Sequence, residues 1–407
     1  RLISAFHHKT EFQMKFSIKC KKATFLLIKN YVGGIIILGD FIMLRKFTVK
    51  NFKNFDQPLV MDLTKVREYE FKNELLKNGL INKALIWGYN NCGKSNLGAA
   101  IMDITRHLTD NVKDNPLYLY YLSGNATDNY VEFNYEFLFD NLIVEYNYRK
   151  DEHTNLLYEE LLCDQKLLFS YNYETNKYKN NIKEAKTLDL SRKNTNMSLL
   201  KYIYNNTLYW DKSSPVKLLM DFVGGMLWFR SLRDNEYIGI MSGSENLNDF
   251  IINNHLLKEF ENFLQKCGQN YHLSVVEEAG KNKIGVVYDQ YTAKFEVVAS
   301  TGTKSLWLFF YWMHQVDKIS FVFLDEFDAF YHYDLAKNIL NYVNSKKEFQ
   351  SILTTHNLFL VNNELMRPDC YLNLDHGKLI SFADSTNKVI RQSHNLANMV
   401  LGGEFEE

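Results

Sequence analysis

The 407-residue chain has few of the features that mark secreted, zinc-binding or strongly basic proteins. Its five cysteines are scattered and odd in number, and without a Cys-x-x-Cys pair they indicate neither a disulfide framework nor a zinc site. The formal net charge of −1 gives no basic field of the kind that attracts nucleic acid. Proline occurs four times, and the sequence shows neither an internal repeat nor a heptad run long enough for a coiled coil. These absences favour a globular protein of the reducing cytoplasm, large enough for two or three domains.

Residues 1–42 differ in charge from the rest of the chain. They hold seven Lys/Arg and two acidic residues, so that the remainder carries a net charge of −6. The apolar stretch 23–39 is interrupted by Lys29 and Asn30, and falls short of the roughly 20 apolar residues of a membrane-spanning helix. We expect Met43 to be the native start, residues 1–42 to be upstream sequence, and the protein to have no membrane partner. A membrane-associated N-terminal extension is the alternative, and N-terminal sequencing of native protein would distinguish the two.

The stretch with the strongest chemical meaning reads G-Y-N-N-C-G-K-S and fits the phosphate-loop pattern G-x-x-x-x-G-K-[ST]. The apolar run 84–87 precedes it as a buried strand would, and apolar residues at helical spacing follow it. Such a loop directs backbone N–H groups at phosphate oxygens, while its lysine reaches the β- and γ-phosphates and its serine holds Mg²⁺. A chance glycine turn is the alternative. The motif predicts a nucleotide site at Gly88, Asn90, Asn91, Gly93, Lys94, Ser95 and Asn96, with Ser95 on the metal.

Two further apolar runs end in polar side chains. Residues 321–324 lead into Asp325 and Glu326, a carboxylate pair that would hold Mg²⁺ through Asp325 and polarise the attacking water through Glu326. Residues 352–355 lead into His356, which could contact the γ-phosphate or the water. The plain alternatives are an acidic turn and a structural histidine.

Ser300 and Gly302 open a helical pattern about 20 residues before the carboxylate pair. Ser300 could cap this helix, and Gly302 would let a phosphate approach its N-terminus. The alternative is a capped helix without a ligand. A second anion site would have a clear use if a second subunit supplied the nucleotide.

Strands that alternate with helices around a phosphate loop predict an α/β fold with a mixed parallel and antiparallel sheet. We expect an ATPase head formed by residues 43–110 and 296–407, with an inserted α+β lobe at 111–295. The predicted strands and hairpins are 44–55 with 59–63, 131–139 with 142–148, 156–162 with 166–173, 272–278, 283–298, 319–324, 351–355 and 370–382. The predicted helices are 96–107, 196–206, 215–228, 246–266, 300–314, 334–345 and one after 355, and 174–195 is predicted to be an exposed loop.

Taken in order, these motifs resemble the head of an ABC-type ATPase of the AAA ATPase superfamily. The opening strand ends in NFKNF and resembles the start of SMC and RecF heads, whereas DEFDAFYH, TTHN and HNLANMVLGGEF resemble OLD-like ATPases. Many OLD-like ATPases belong to bacterial phage-defence, or abortive infection, operons. The resemblance extends from Met43 to the C-terminus and is least specific over 111–295.

The resemblance implies ATP and Mg²⁺ as cofactors. Lys94 and Ser95 match the Walker A lysine and its metal-binding serine, Asp325 and Glu326 match the Walker B pair, and His356 matches the switch histidine. By this resemblance the catalytic residues are Lys94, Glu326 and His356.

The resemblance also implies a dimer. Ser300 and Gly302 match the signature residues that contact ATP bound to the opposite subunit, and Asp328 matches the D-loop at the dimer interface. The signature reads STGTK rather than the transporter LSGGQ. The glutamine that normally contacts Mg²⁺ has no clear counterpart, because Gln165 falls in a predicted hairpin.

OLD proteins continue into a Toprim nuclease domain, which has no counterpart after Glu407, so the resemblance points to the stand-alone ATPases of two-gene systems such as the AbiL and PARIS types. We expect a cytoplasmic ATPase that forms a homodimer or higher homo-oligomer, responds to a phage-encoded trigger and controls a separate effector nuclease. The alternatives are a RecF/SMC-like repair ATPase that binds DNA, which the charge does not indicate, and the ATPase subunit of a transporter.

Overall fold

The computed structural model describes residues 42–110, 118–190, 197–230, 236–239 and 247–405. The predicted extension therefore lies outside the described residues, apart from Ile42, which begins the first strand. Residues Ile42–Glu407 group into one unit. Within the described parts of the chain, no helix combines the length and apolar character needed to cross a membrane.

The described residues form nineteen strands and nine α-helices. The strands are β1 (Ile42–Lys50), β2 (Leu59–Asp62), β3 (Leu76–Lys77), β4 (Leu80–Ile81), β5 (Lys83–Trp87), β6 (Val131–Phe139), β7 (Leu142–Lys150), β8 (Leu156–Cys163), β9 (Lys166–Asn172), β10 (Lys177–Asn180), β11 (Met226–Arg230), β12 (Glu236–Gly239), β13 (Leu273–Glu278), β14 (Lys281–Val287), β15 (Thr292–Lys294), β16 (Phe321–Asp325), β17 (Gln350–Thr355), β18 (Tyr371–Asp375) and β19 (Lys378–Ser381). The helices are α1 (Lys94–Leu108), α2 (Leu199–Asn206), α3 (Pro215–Gly224), α4 (Leu247–Asn253), α5 (Leu257–Lys266), α6 (Phe295–Val298), α7 (Thr301–Met313), α8 (Tyr333–Ser345) and α9 (Leu396–Leu401).

One seven-stranded sheet has the order β12-β11-β16-β17-β5-β18-β19. Its five central strands are parallel, and β12 and β19 pair antiparallel at the two edges. Every residue of β5, β16 and β17 is buried, as expected for parallel strands that are covered on both faces. The carboxyl ends of β5, β16 and β17 meet at one edge of the sheet, and the predicted phosphate loop, carboxylate pair and histidine follow those ends.

A second seven-stranded sheet is antiparallel, with the order β10-β9-β8-β7-β6-β1-β2. Burial alternates along β6 and β7, so one face of this sheet packs against the protein while the other is partly exposed. Tyr135 and Tyr148 extend from the packed face to α1, where they donate hydrogen bonds to Ala100 O (2.9 Å) and Asp103 Oδ2 (2.9 Å).

Helix α1 also packs against the parallel sheet. A Cβ atom at Gly98 would lie 2.7 Å from the Phe323 ring and 3.1 Å from Trp228, so a residue without a side chain is required where α1 crosses β11 and β16. The helix that starts at the phosphate loop thus contacts both sheets, and Gln350 bonds to Leu44 N at 2.9 Å to join β17 to β1.

Most predicted elements are present with boundaries that differ by up to three residues, including both hairpins within 131–173 and the hairpin near 370–382. Six predictions need correction. The first strand, predicted over 44–55, ends at Lys50. The helix predicted at 215–228 ends at Gly224 and is followed by β11, and the helix predicted at 246–266 is two helices, α4 and α5. The described part of the predicted loop, 174–190, contains β10 and a 3₁₀ turn, and the strands predicted over 283–298 are followed by α6. The helix predicted after 355 begins instead with a 3₁₀ turn, Leu358–Leu360.

The stretch predicted to be an inserted lobe is also corrected, because seven of its described strands, β6–β12, belong to the two large sheets. Strand β6 pairs with β1, with Tyr135 opposite Phe47, and β11 pairs with β16. Strands β13–β15 do form a small sheet of their own. The boundaries at 110 and 295 therefore do not separate structural units.

Candidate active site

The phosphate loop leaves β5 after Trp87 and enters α1 at Lys94. A Cβ atom at Gly88 would lie 2.7 Å from the backbone oxygen of Leu374, and Gly93 has φ = 108°. The first position has no space for a side chain, and the second has a conformation that side chains rarely adopt. Both glycines of the motif are thus required by the geometry of the loop.

Asn54 contacts this loop, although the sequence did not single it out as a site residue. Its Nδ2 donates to Cys92 O (3.3 Å), its Oδ1 accepts from Asn96 Nδ2 (2.6 Å), and its side chain covers Gly93. The turn after β1 therefore supports the loop. The signal for Asn54 in the sequence was the NFKNF segment, used there only as a mark of resemblance.

Lys94 lies inside the loop with 4% of its surface exposed. Its Nζ donates to the backbone oxygens of Gly88 (2.9 Å) and Tyr89 (3.0 Å) and lies 3.3 Å from Glu326 Oε1. The ammonium group is thus fixed between the loop and the carboxylate pair. Asn90 and Asn91 lie on the exposed side of the loop, and Asn91 has a positive φ of 66°.

The Ser95 hydroxyl lies close to the Asp325 carboxyl at the end of the sheet. Burial raises the pKa of Asp325, whereas the Ser95 hydroxyl and the Thr354 hydroxyl, which donates to Asp325 Oδ1 at 2.8 Å, oppose this shift. A hydroxyl and a carboxylate are the oxygen donors that Mg²⁺ takes in nucleotide sites, where substrate phosphates and water complete its shell. The described residues contain no cluster of three or more His, Cys, Asp or Glu that could hold a metal ion without such help. The donor set fits a magnesium ion that arrives with a nucleotide.

Glu326 has a left-handed backbone conformation, with φ = 48°, at the end of β16. Its N–H donates to Thr354 Oγ1 (2.8 Å), and its Oε2 lies 2.8 Å from Nδ1 of the half-exposed His356. Together with Lys94 on Oε1, these contacts fix the direction of the carboxylate. Non-glycine residues held in this conformation cluster at functional sites.

Asp328 lies in the same turn and joins the group through a neighbouring strand. Thr355 Oγ1 donates to Asp328 Oδ2 (2.9 Å), and burial raises the pKa of Asp328. Thr354 and Thr355 at the end of β17 therefore hold the turn that contains both Glu326 and Asp328. In the sequence these two threonines were recognised only as part of the TTHN motif, and no role was assigned to them.

Ser300 and Gly302 lie at the start of α7, and Ser300 Oγ accepts from Thr303 N (3.1 Å) as a helix cap. A Cβ atom at Gly302 would approach Phe330 O to 3.1 Å, and Tyr331 donates to Ser305 Oγ at 2.6 Å. Within this chain the predicted signature therefore contacts the turn after Asp328 rather than the phosphate loop.

Arg230 ends β11 directly beside Asp325 in the register of the parallel sheet. It is buried, lies over the Trp228 ring and lowers the pKa of Asp325, although burial of Asp325 has the larger, opposite effect. The sequence missed Arg230 because it predicted a helix that continued to 228. Gln165 lies in the β8–β9 turn, as its surroundings indicated.

Residues 84–362, more than half of the chain, match the protein family described as "AAA domain, putative AbiEii toxin, Type IV TA system". The chain belongs to this family. Family membership and the sheet order together confirm the predicted α/β fold of a P-loop ATPase with its mixed parallel and antiparallel strands.

Solved structures similar to this chain include two SMC heads. One, described as the SMC head bound to the C-winged helix domain of ScpA, is 15% identical, with 83% of this chain and 96% of that chain covered and a TM-score of 0.43. The other, the SMC head domain from Thermotoga maritima, is 13% identical, with 83% and 97% covered and a TM-score of 0.41. No curated protein matches the sequence significantly.

Proposed function

We propose that the protein is an ATPase that hydrolyses ATP to ADP and phosphate at the ends of β5, β16 and β17. The observation that carries this proposal is the placement of Glu326. Its carboxylate is held between Lys94 and His356, next to the Ser95–Asp325 pair. These groups come from three separate segments of the chain, after β5, β16 and β17, and share one chemistry, the binding and cleavage of a phosphate chain.

In this mechanism the loop amides and Lys94 bind the phosphates, and the ammonium exchanges the Glu326 carboxylate for phosphate oxygens. Ser95 and Asp325 would hold Mg²⁺, which supplies neutralisation of phosphate charge. Glu326 accepts a proton from the attacking water, and its bond to His356 Nδ1 keeps the free oxygen directed at the site. Thr354 fixes the backbone of Glu326 while this proton moves.

The test is the steady-state ATPase rate of Glu326→Gln, which keeps the size and polarity of the side chain but removes the base. We expect the rate to fall by about 10²-fold or more while ATP still binds. Lys94→Ala should lose both binding and turnover. Glu364→Gln changes an exposed glutamate elsewhere and serves as the matched control. A normal rate in Glu326→Gln would refute the assignment.

We further infer that the working form is a homodimer or higher homo-oligomer in which Ser300 and Gly302 complete the site of a second copy. Each segment expected at such an interface carries a partly or largely exposed apolar side chain: Val297 before Ser300, Phe330 beside Gly302 and Phe359 after His356. Exposed apolar groups that surround one site favour a protein interface. Asp328 would lie at that interface.

The biological role that we propose is control of a separate effector nuclease in phage defence, in the cytoplasm and in response to a phage-encoded trigger. The family's toxin–antitoxin description and the OLD-like motifs support this role. Phage plating on a host with the intact gene neighbourhood tests it: Lys94→Ala should abolish protection. Equal protection by this variant, or a neighbourhood without an effector gene, would contradict the proposal.

A DNA-binding ATPase of the RecF/SMC kind is the second candidate. The contact of Asn54, within NFKNF, with the phosphate loop favours it, since that segment carries the resemblance to those heads. DNA binding that weakens steeply as salt rises would support this candidate. Absence of binding at low salt in the presence of ATP would exclude it.

A further inference from the structure

A cavity of about 420 Å³ lies at the carboxyl end of α1, at the opposite end of this helix from Lys94. Fifteen residues of helix place it roughly 20 Å from the phosphate loop. Its walls include Arg106 from α1, Lys150 at the end of β7 and Lys201 from α2. Three cationic side chains from three elements therefore line one cavity of the size that takes a small ligand.

Two of these cations have carboxylate partners. Lys150 Nζ lies 2.6 Å from Asp103 Oδ2, and both side chains are buried, so this pair belongs to the core. Lys201 Nζ lies 2.6 Å from Asp110 Oδ1, but the Asp110 side chain is 90% exposed. The Lys201 side chain is only 12% exposed, and its Nζ also donates to Thr109 O (2.8 Å), so the ammonium stays at the cavity wall. Its carboxylate partner lies in solvent, where an ion pair contributes little, so another anion can replace Asp110 at small cost.

Arg106 has no carboxylate partner among the described residues. Its guanidinium stacks on the Tyr118 ring, with Cζ 3.7 Å from the ring centroid. Its Nε and Nη1 are buried and lack a hydrogen-bond partner within the described parts of the chain. These two donors are closed off from solvent, so only the rest of the guanidinium can face the cavity. A planar guanidinium matches the geometry of phosphate oxygens.

His107 adds no charge to the cavity. Burial, followed by the neighbouring Lys150, lowers the pKa of His107 well below its usual range, so its ring is neutral at pH 7. The positive charge that remains comes from Arg106, and from Lys201 once Asp110 is displaced.

We propose that this cavity binds a small phosphate-bearing molecule, whose phosphate group contacts Arg106 and Lys201. Thr154 and Asn155 supply polar groups at the cavity wall for the rest of the ligand. The site is separate from the nucleotide site and does not depend on the ATPase assignment.

The test is calorimetric titration of the full chain with ribose 5-phosphate while the phosphate loop is saturated with Mg·ADP. We expect one molecule to bind per chain. Arg106→Gln and Lys201→Gln should weaken binding by about tenfold or more, because each removes a charged donor. Asp110→Asn should tighten binding, because it removes the competing carboxylate. Lys217→Gln, which alters a lysine paired with Asp221 on α3, is the matched control and should not change binding.

The paired variants separate binding from folding, since damage to the fold cannot explain tighter binding in Asp110→Asn. No binding by the unaltered protein would overturn the proposal, and so would equal binding by all variants. Binding that disappears in Lys94→Ala would place the ligand in the phosphate loop and would also overturn it.

Discussion

The Thr354 hydroxyl connects the two carboxylates that follow β16. It donates to Asp325 Oδ1 (2.8 Å) and accepts from the backbone N–H of Glu326 (2.8 Å), and the side chain is completely buried. Because the N–H belongs to a residue with positive φ, the threonine holds a conformation that would otherwise be unfavourable. One hydroxyl thus supports both the proposed metal ligand and the proposed base.

We predict that Thr354→Val lowers the free energy of unfolding by about 1–3 kcal/mol, because it leaves the Glu326 N–H buried without a partner. It should also lower the ATPase rate more than Thr354→Ser, which keeps the hydroxyl. Urea denaturation and steady-state turnover of the two variants measure these effects. Equal stability of the valine and serine variants would contradict the role given to the hydroxyl.

Lys83, at the start of β5, is a buried cation remote from the catalytic end of the strand. Its Nζ donates to Phe349 O (2.6 Å) and lies 4.2 Å from the Phe349 ring centroid. Burial lowers the pKa of Lys83 from 10.5 to about 7. Between these values the unfolded chain binds a proton that the folded protein does not, so this group makes stability rise with pH in that interval.

We predict that Lys83→Met is more stable than the unaltered protein at and below pH 7, where the buried ammonium is charged. The difference should shrink as pH rises toward 10, by up to about 1.4 kcal/mol per pH unit. Urea denaturation of both proteins at pH 6, 7, 8 and 9 measures it. A difference that stays constant with pH would show that Lys83 does not titrate in this way.

Among the elements, α7 and the turn after β16 are held together by two contacts. Tyr331 donates to Ser305 Oγ at 2.6 Å, and Gly302 packs against Phe330 O. The turn that contains Glu326 and Asp328 is thereby tied to the helix start proposed to contact a second copy's nucleotide. If two copies share their sites as proposed, the Tyr331–Ser305 hydrogen bond would couple hydrolysis at Glu326 of one copy to the helix start that contacts the other copy's nucleotide.

We predict that Tyr331→Phe keeps ATP binding by the single chain but weakens ATP-dependent assembly by about threefold to tenfold, since one hydrogen bond contributes roughly 1 kcal/mol. Ser305→Ala should have a similar effect, and the double variant should be no worse than either single variant. Sedimentation velocity with and without ATP measures assembly. Additive effects would show that the two residues act independently.

The sequence predicted the elements that carry long apolar runs or motifs, and it failed where a strand depended on distant partners. Strands β16 and β17 are continuous buried runs that end in polar side chains, so both the strands and their site residues were predictable. Strand β11 was not predictable, because its apolar residues continue the apolar pattern of α3. Its partner strand β16 is also far away in sequence. Arg230 and Asn54 were missed because their contacts involve residues distant in sequence, whereas the motifs singled out Lys94, Asp325 and Glu326, whose roles stay a prediction.

At the scale of the whole molecule, the two sheets pack on α1, and their joint arrangement determines where the phosphate loop lies. Gln350 contacts both Leu44 and Ile81, which ties the antiparallel sheet to the strand that carries Thr354. Ser300 contacts Thr303 and Gly302 lies against Phe330, so neither residue contacts the phosphate loop of the same chain in these interactions. A site that is complete in one chain would give the anion-binding role predicted for this helix start no use, whereas a site shared between two copies would use it.

Shared sites make a specific prediction about mixtures. Lys94→Ala has a damaged phosphate loop but an intact signature. Ser300→Arg has an intact phosphate loop but a damaged signature, because a bulky cation replaces the helix cap. Each protein alone should be inactive. If sites are shared, a mixed dimer contains one composite site in which both halves are intact, so ATPase activity should reappear on mixing and depend on the ratio of the two proteins. Mixing Lys94→Ala with Glu326→Gln, two variants damaged in the same half, is the control and should stay inactive. Activity that fails to return in the first mixture, while ATP binding by Ser300→Arg is intact, would mean that each chain completes its own site.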